Sequence, residues 1–72
     1  MSKLPVISGS KTVKALIKFG YYVRDQEGSH IHLRHPFRKP LTIPNHKEIA
    51  RGTLGKIIKE ADLTVEEFRR LL

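Results

Sequence analysis

Between Gly28 and Pro36 the chain alternates in a way that few folds can accommodate. In an extended strand His30, His32 and Arg34 fall on one face, and Ile31, Leu33 and His35 fall on the other. A strand with one apolar and one polar face belongs in a sheet that is covered on one side only. A slip of one residue would bury the histidines and expose Ile31 and Leu33, so the apolar pair fixes the orientation. The polar row then looks outward, and any work that the histidines do is done on an open face.

The flanking segments supply the cover. Ser8 or Ser10 caps a first helix running to about Phe19, with Val13, Leu16, Ile17 and Gly20 on its apolar side. Lys11, Lys14 and Lys18 form a stripe on another side. Gly20 ends that helix. Tyr21 to Gln26 reads as a first strand, Glu27-Gly28 as a turn, and Ser29 to His35 as a second strand. Pro36 to Pro40 makes the next connection, and Leu41-Thr42-Ile43 is a third strand closed by Pro44. A polar loop over Asn45 to Arg51 carries His46. A second helix runs from Gly52 or Thr53 to Ala61, burying Leu54, Ile57, Ile58 and Ala61. Asp62 takes the helix-stop position, where a left-handed backbone is needed. Thr64-Val65-Glu66-Glu67 is a capping box, with Leu63 and Phe68 as its hydrophobic staple, and opens a short last helix. The order predicts an α+β fold. A three-stranded antiparallel sheet carries two helices on one face and a short C-terminal helix.

With 72 residues there is room for a single domain, residues 1–72, that buries only about 60% of its unfolded surface. A deep private cavity does not fit, so the chain must act on something large from outside or borrow surface from a partner. No cysteine is present, which removes disulfides, thiolate metal sites and thiol nucleophiles and fits a reducing cytoplasm. No apolar run reaches membrane length, and Met1 to Ser10 lacks the apolar stretch of a signal peptide. Through Lys59, twelve Lys and Arg oppose three acids, for +9; from Glu60 onward, two Arg oppose four acids, for −2. The basic part is therefore the part expected to meet a polyanion.

Four readings of the histidines follow from the residues. In the first, His30 moves a proton in phosphodiester cleavage. RNA brings its own nucleophile, the 2′-hydroxyl, so one or two imidazoles and a few cations suffice. Arg34 would stabilise the phosphate, and His32 or His46 would be the second proton carrier. In the second, His30 and His32 bind a metal with His46 as third ligand. The sequence offers no carboxylates to support such a site, and no metal is assigned. In the third, the rings only contact phosphate or stack on bases. In the fourth, they are ordinary surface residues. His35 is the least suited to catalysis, because it shares the apolar face.

Several pieces of the chain, in order, resemble the HicA toxin family. Ser8-Gly9-Ser10-Lys11 with Val13 leads into Gly20-Tyr21, and Gly28-Ser29-His30 matches the Gly-Ser-His motif, with Arg34-His35-Pro36 as its sequel. Thr42-Ile43-Pro44-x-His46, Gly52-Thr53-Leu54-x-x-Ile57 and Leu63-Thr64-x-Glu66-Glu67-Phe68 complete the likeness. Ile31 stands where many members carry a second histidine, and Asp62 stands where glycine is usual. The resemblance implies an αβββα fold similar to double-stranded-RNA-binding domains. It also implies a type II toxin that cuts mRNA without a metal or other cofactor, with His30 catalytic and Gly28, Ser29, His32 and His46 in support. Lys11, Lys14, Lys18, Arg24 and Arg34 would hold RNA, and a HicB-like antitoxin would cover the site. The alternatives are a non-catalytic RNA-binding module of the same fold and an antitoxin-docking subunit.

Overall fold

A computed structural model describes residues 3–72. The expected lead over residues 1–7 thus lies partly outside the described residues. Elements follow in the order α1 (Gly9–Lys18), β1 (Tyr22–Glu27), β2 (His30–Arg34), β3 (Leu41–Pro44), α2 (Arg51–Glu60) and α3 (Val65–Arg70). The strands form one antiparallel sheet in the order β1-β2-β3. The architecture is the α+β arrangement expected from the sequence, with each helix and strand within one or two residues of its expected bounds.

α1 starts where the chemistry of its cap dictates. Ser8 is extended, and its Oγ accepts the Lys11 N–H at 3.2 Å. Its buried face consists of Gly9, Thr12, Val13, Ala15 and Leu16. Ile17, expected inside, is half exposed, and Thr12 takes the fully buried place. Thr12 can be buried because its hydroxyl donates to the Ser8 carbonyl at 2.9 Å, so no polar atom is orphaned. Gly20 has φ +110° and closes the helix: its N–H donates to the Ile17 carbonyl and the Tyr21 N–H donates to the Leu16 carbonyl, both at 3.0 Å. That closure drops Tyr21 into the core, so β1 begins one residue later than the aromatic pattern predicts. The Tyr21 hydroxyl donates to the Lys39 carbonyl at 2.9 Å, and burial pushes its pKa up.

Ile31 and Leu33 of β2, with Leu41 and Ile43 of β3, face Leu16 of α1, Leu54, Ile57 and Ile58 of α2, and Phe68 of α3 in one apolar cluster. Each fully buried Leu, Ile or Phe contributes about 1.5–3 kcal/mol. α2 begins at Arg51 after Ala50, without a side-chain cap, and ends at Glu60; beyond its cap Ala61, Asp62 with φ +60° supplies the left-handed turn. The Thr64–Glu67 capping box is present in both directions, at 3.0 and 2.9 Å. Among the described residues, no helix is long and apolar enough to cross a membrane.

Candidate functional site

β2 places its side chains in the alternation expected. Ile31 and Leu33 are buried, His30 and Arg34 are exposed, and His32 lies between. The β1–β2 turn is Gly28-Ser29, one residue beyond the expected Glu27-Gly28. Gly28 takes φ +57° at the first loop position, as a tight two-residue hairpin requires. This register sets Glu27 opposite His30, Gln26 opposite Ile31, and Asp25 opposite His32. Directly paired residues share a face, so both carboxylates join the histidines on the open side.

Continued without interruption, that register would set Arg24 against Leu33 on the core side and Val23 against Arg34 on the open side. A β-bulge prevents this. Arg24 is the extra residue, and the pairing resumes with Val23 opposite Leu33 and Tyr22 opposite Arg34. The bulge keeps a guanidinium off the core side and sets the half-exposed Val23 opposite the buried Leu33 instead. The expectation that no carboxylate stands by the histidines is therefore corrected. Asp25 and Glu27 do, because hairpin register decides cross-strand neighbours and linear spacing does not.

The contacts are specific. His32 Nδ1 lies 2.5 Å from Asp25 Oδ1 and 3.9 Å from Glu27 Oε1. Arg24 Nε lies 3.6 Å from Asp25 Oδ2. The hydrogen bond from His32 holds the Asp25 carboxyl below the usual carboxylate range, aided by the nearby charges of His32, Arg24 and Arg34. An ionised carboxylate can only accept. Nδ1 of His32 therefore donates to it, and Nε2 has no hydrogen-bond partner among the described residues. Asp25, Glu27 and His32 also present ligand atoms within 4.8 Å of one another, close enough to hold a cation. This set differs from the His30, His32 and His46 set weighed from sequence.

His35 is different. The Phe37 N–H donates to its Nδ1 at 3.0 Å, and its Nε2 donates to the Phe19 carbonyl at 3.3 Å. Its ring packs edge-on to Tyr21 with centroids 4.8 Å apart. With both nitrogens engaged, it clasps the α1–β1 and β2–β3 connections together. His30 and His46 have no side-chain hydrogen bond among the described residues. Two backbone bonds bring their ends of the chain together: the Asn45 N–H donates to the Ser29 carbonyl at 2.6 Å, and the Gly9 N–H donates to the His46 carbonyl at 2.8 Å. His30, the His46 loop and the start of α1 thus meet at one end of the sheet.

The cations separate into two groups. Arg24 and Arg34 line a depression on the open face with Asp25, Glu27, His32 and Thr42. Lys11, Lys14 and Lys18 instead line a groove of 380 Å³ with Val6 and Leu72, where the ends of the described chain meet α1. The cation set named from sequence therefore spans two surfaces. The residues that sequence reasoning missed are Asp25 and Glu27. The available signal was the Gly28-Ser29 pair, because placing the turn there pairs Asp25 with His32 by counting.

On the open face, free imidazole nitrogens, an oriented histidine and two guanidinium groups stand together in solvent. Such a set can move protons and hold a phosphodiester. Residues 9–63, which are 55 of the 72 (63 − 9 + 1), match the family model described as the HicA toxin of bacterial toxin–antitoxin systems. No curated protein matches the chain.

Proposed function

The chain belongs to the HicA toxin family of bacterial toxin–antitoxin proteins, and from that premise we propose that it is an mRNA endoribonuclease in which His30 moves the proton. The observation that carries this reading is the outward row of β2. His30 is exposed, with no side-chain hydrogen bond among the described residues, and shares its face with His32 and Arg34. An enzyme for RNA needs little more than this. The 2′-hydroxyl is the nucleophile, one imidazole takes its proton, and a guanidinium balances charge on the phosphoryl oxygens. Protein groups suffice for each role, so the proposed reaction draws on no metal.

Arg24 and Arg34 hold the scissile phosphate on the open face. Lys11, Lys14 and Lys18 give the backbone a second track along α1. Each phosphate contact made by these residues adds about 0.7 to the slope of log affinity against log salt for a single strand. Gly28 and Ser29 shape the turn that presents His30, and His46 stands at the same end of the sheet. In the cytoplasm, a HicB-like antitoxin would neutralise the toxin by covering this face.

The test is incubation of wild type and His30→Ala with a structured mRNA in EDTA, followed by mapping of the ends. Wild type should cut, and His30→Ala should cut about 10²–10⁴-fold more slowly. Its stability should stay within about 0.5 kcal/mol of wild type, because the side chain is exposed. Intact RNA in both, with binding retained, would overturn the nuclease reading in favour of an RNA-binding module. Cleavage lost through unfolding of His30→Ala would make His30 structural.

A further inference from the structure

In this cleavage the leaving 5′-oxygen must be protonated as the 2′-hydroxyl loses its proton, and a second imidazole beside the first can supply that proton. We propose that His32 is that carrier and that Asp25 is the residue that positions it. The proposal deepens the ribonuclease reading and rests on it.

Three observations point to this pair. His30 and His32 are two residues apart on one face of β2, about 6.6 Å along the strand. Each ring reaches a proton over about 3 Å. The attacking and leaving oxygens of one phosphate therefore fit between them. Next, His32 is the open-face histidine whose ring is held: Asp25 Oδ1 lies 2.5 Å from Nδ1, and the His32 side chain is only 29% exposed. An Nδ1–H fixed on a carboxylate leaves Nε2 free to give or take a proton, the arrangement by which carboxylates orient catalytic imidazoles. Finally, stability gives the pair little reason to exist, because water screens exposed ion pairs and leaves them little net contribution. The charged or titratable groups facing His32 are Asp25, Glu27 and Arg24 from β1, and His30 and Arg34 from its own strand; β3 offers Thr42 opposite it.

The chemistry balances. The O2′–P bond forms and the P–O5′ bond breaks. One of the two imidazoles takes the 2′-hydroxyl proton, and the other gives its proton to O5′. The products are a 2′,3′-cyclic phosphate and a 5′-hydroxyl, and proton exchange with water restores the two rings. Arg34, two residues beyond His32 on the same face, balances the phosphoryl charge.

The experiment pairs nitrogen NMR of the His32 ring with steady-state cleavage of the structured RNA, in wild type, Asp25→Asn, Asp25→Glu and His32→Ala. In wild type, neutral His32 should carry its proton on Nδ1. Asp25→Asn, whose amide can donate to Nδ1, should lose that preference. Its kcat should fall about 10–100-fold with KM unchanged and a changed pH profile. Asp25→Glu should restore part of the rate, and His32→Ala should lose it. Asp25→Asn with the wild-type kcat and pH profile would overturn the role of Asp25. A wild-type His32 protonated on Nε2 alone would do the same. Full activity in His32→Ala would overturn the role of His32 while leaving the ribonuclease reading in place. Failure of wild type to cut, with the Nδ1 tautomer present, would overturn both.

Discussion

Gly20→Ala tests the geometry that hands α1 over to the sheet. Gly20 sits at φ +110°, a conformation that costs an L-residue about 1–3 kcal/mol. The added Cβ would stand 2.8 Å from His35 Nε2 and 3.3 Å from its Cδ2. That ring has little room to retreat, because it is tied to the Phe19 carbonyl and the Phe37 N–H and packed on Tyr21. Displacing it forfeits a hydrogen bond worth about 1 kcal/mol. Together the loss is about 2–4 kcal/mol, against about 4–11 kcal/mol for a chain of this length. At about 4–8 °C per kcal/mol, Tm should fall by roughly 8–32 °C, read by far-UV circular dichroism during heating and checked by urea unfolding. The same substitution in a His35→Ala background should cost less, since only the backbone strain remains, and the difference isolates the clash. A loss below about 0.5 kcal/mol in both backgrounds would refute the argument that this turn requires glycine.

Deletion of Arg24 should leave the fold and the Asp25–His32 pair in place. Val23 would then precede Asp25 directly in regular alternation, and loss of the His32 ring signature in NMR would show the bulge to be needed for more than register. Thr64→Ala should cost about 1 kcal/mol at pH 7 by removing the α3 cap. The partner carboxyl of Glu67 is held below its ordinary 4.5, first by the Thr64 backbone N–H and then by its hydroxyl. A lowered folded value means a contribution that is present above about pH 4.5 and lost as pH falls through the folded value. The Thr64→Ala penalty should therefore shrink on acidification in urea titrations, and a penalty that grew would contradict the cap.

Local chemistry made much of this molecule readable. The Ile31 and Leu33 alternation set the face of His30, His32 and Arg34. Ser8, Gly20, Asp62 and the Thr64–Glu67 box marked helix ends, because caps and left-handed turns act within four residues. The motifs from Ser8 to Phe68 also carried the family. Other features depended on pieces distant in sequence. His35 became a clasp because Phe19, Tyr21 and Phe37 converge on it. The lysines of α1 came to line a groove separate from the histidines, since helix and strand present different surfaces once packed. Asp25 met His32 through the hairpin register. Periodicity tells a side chain which face it takes, and that much the sequence determined alone. Which residue stands across from it is settled by the turn, which sets the register, and by the core side of the sheet, which does not take a guanidinium and shifts the pairing at Arg24; only the tertiary structure shows both.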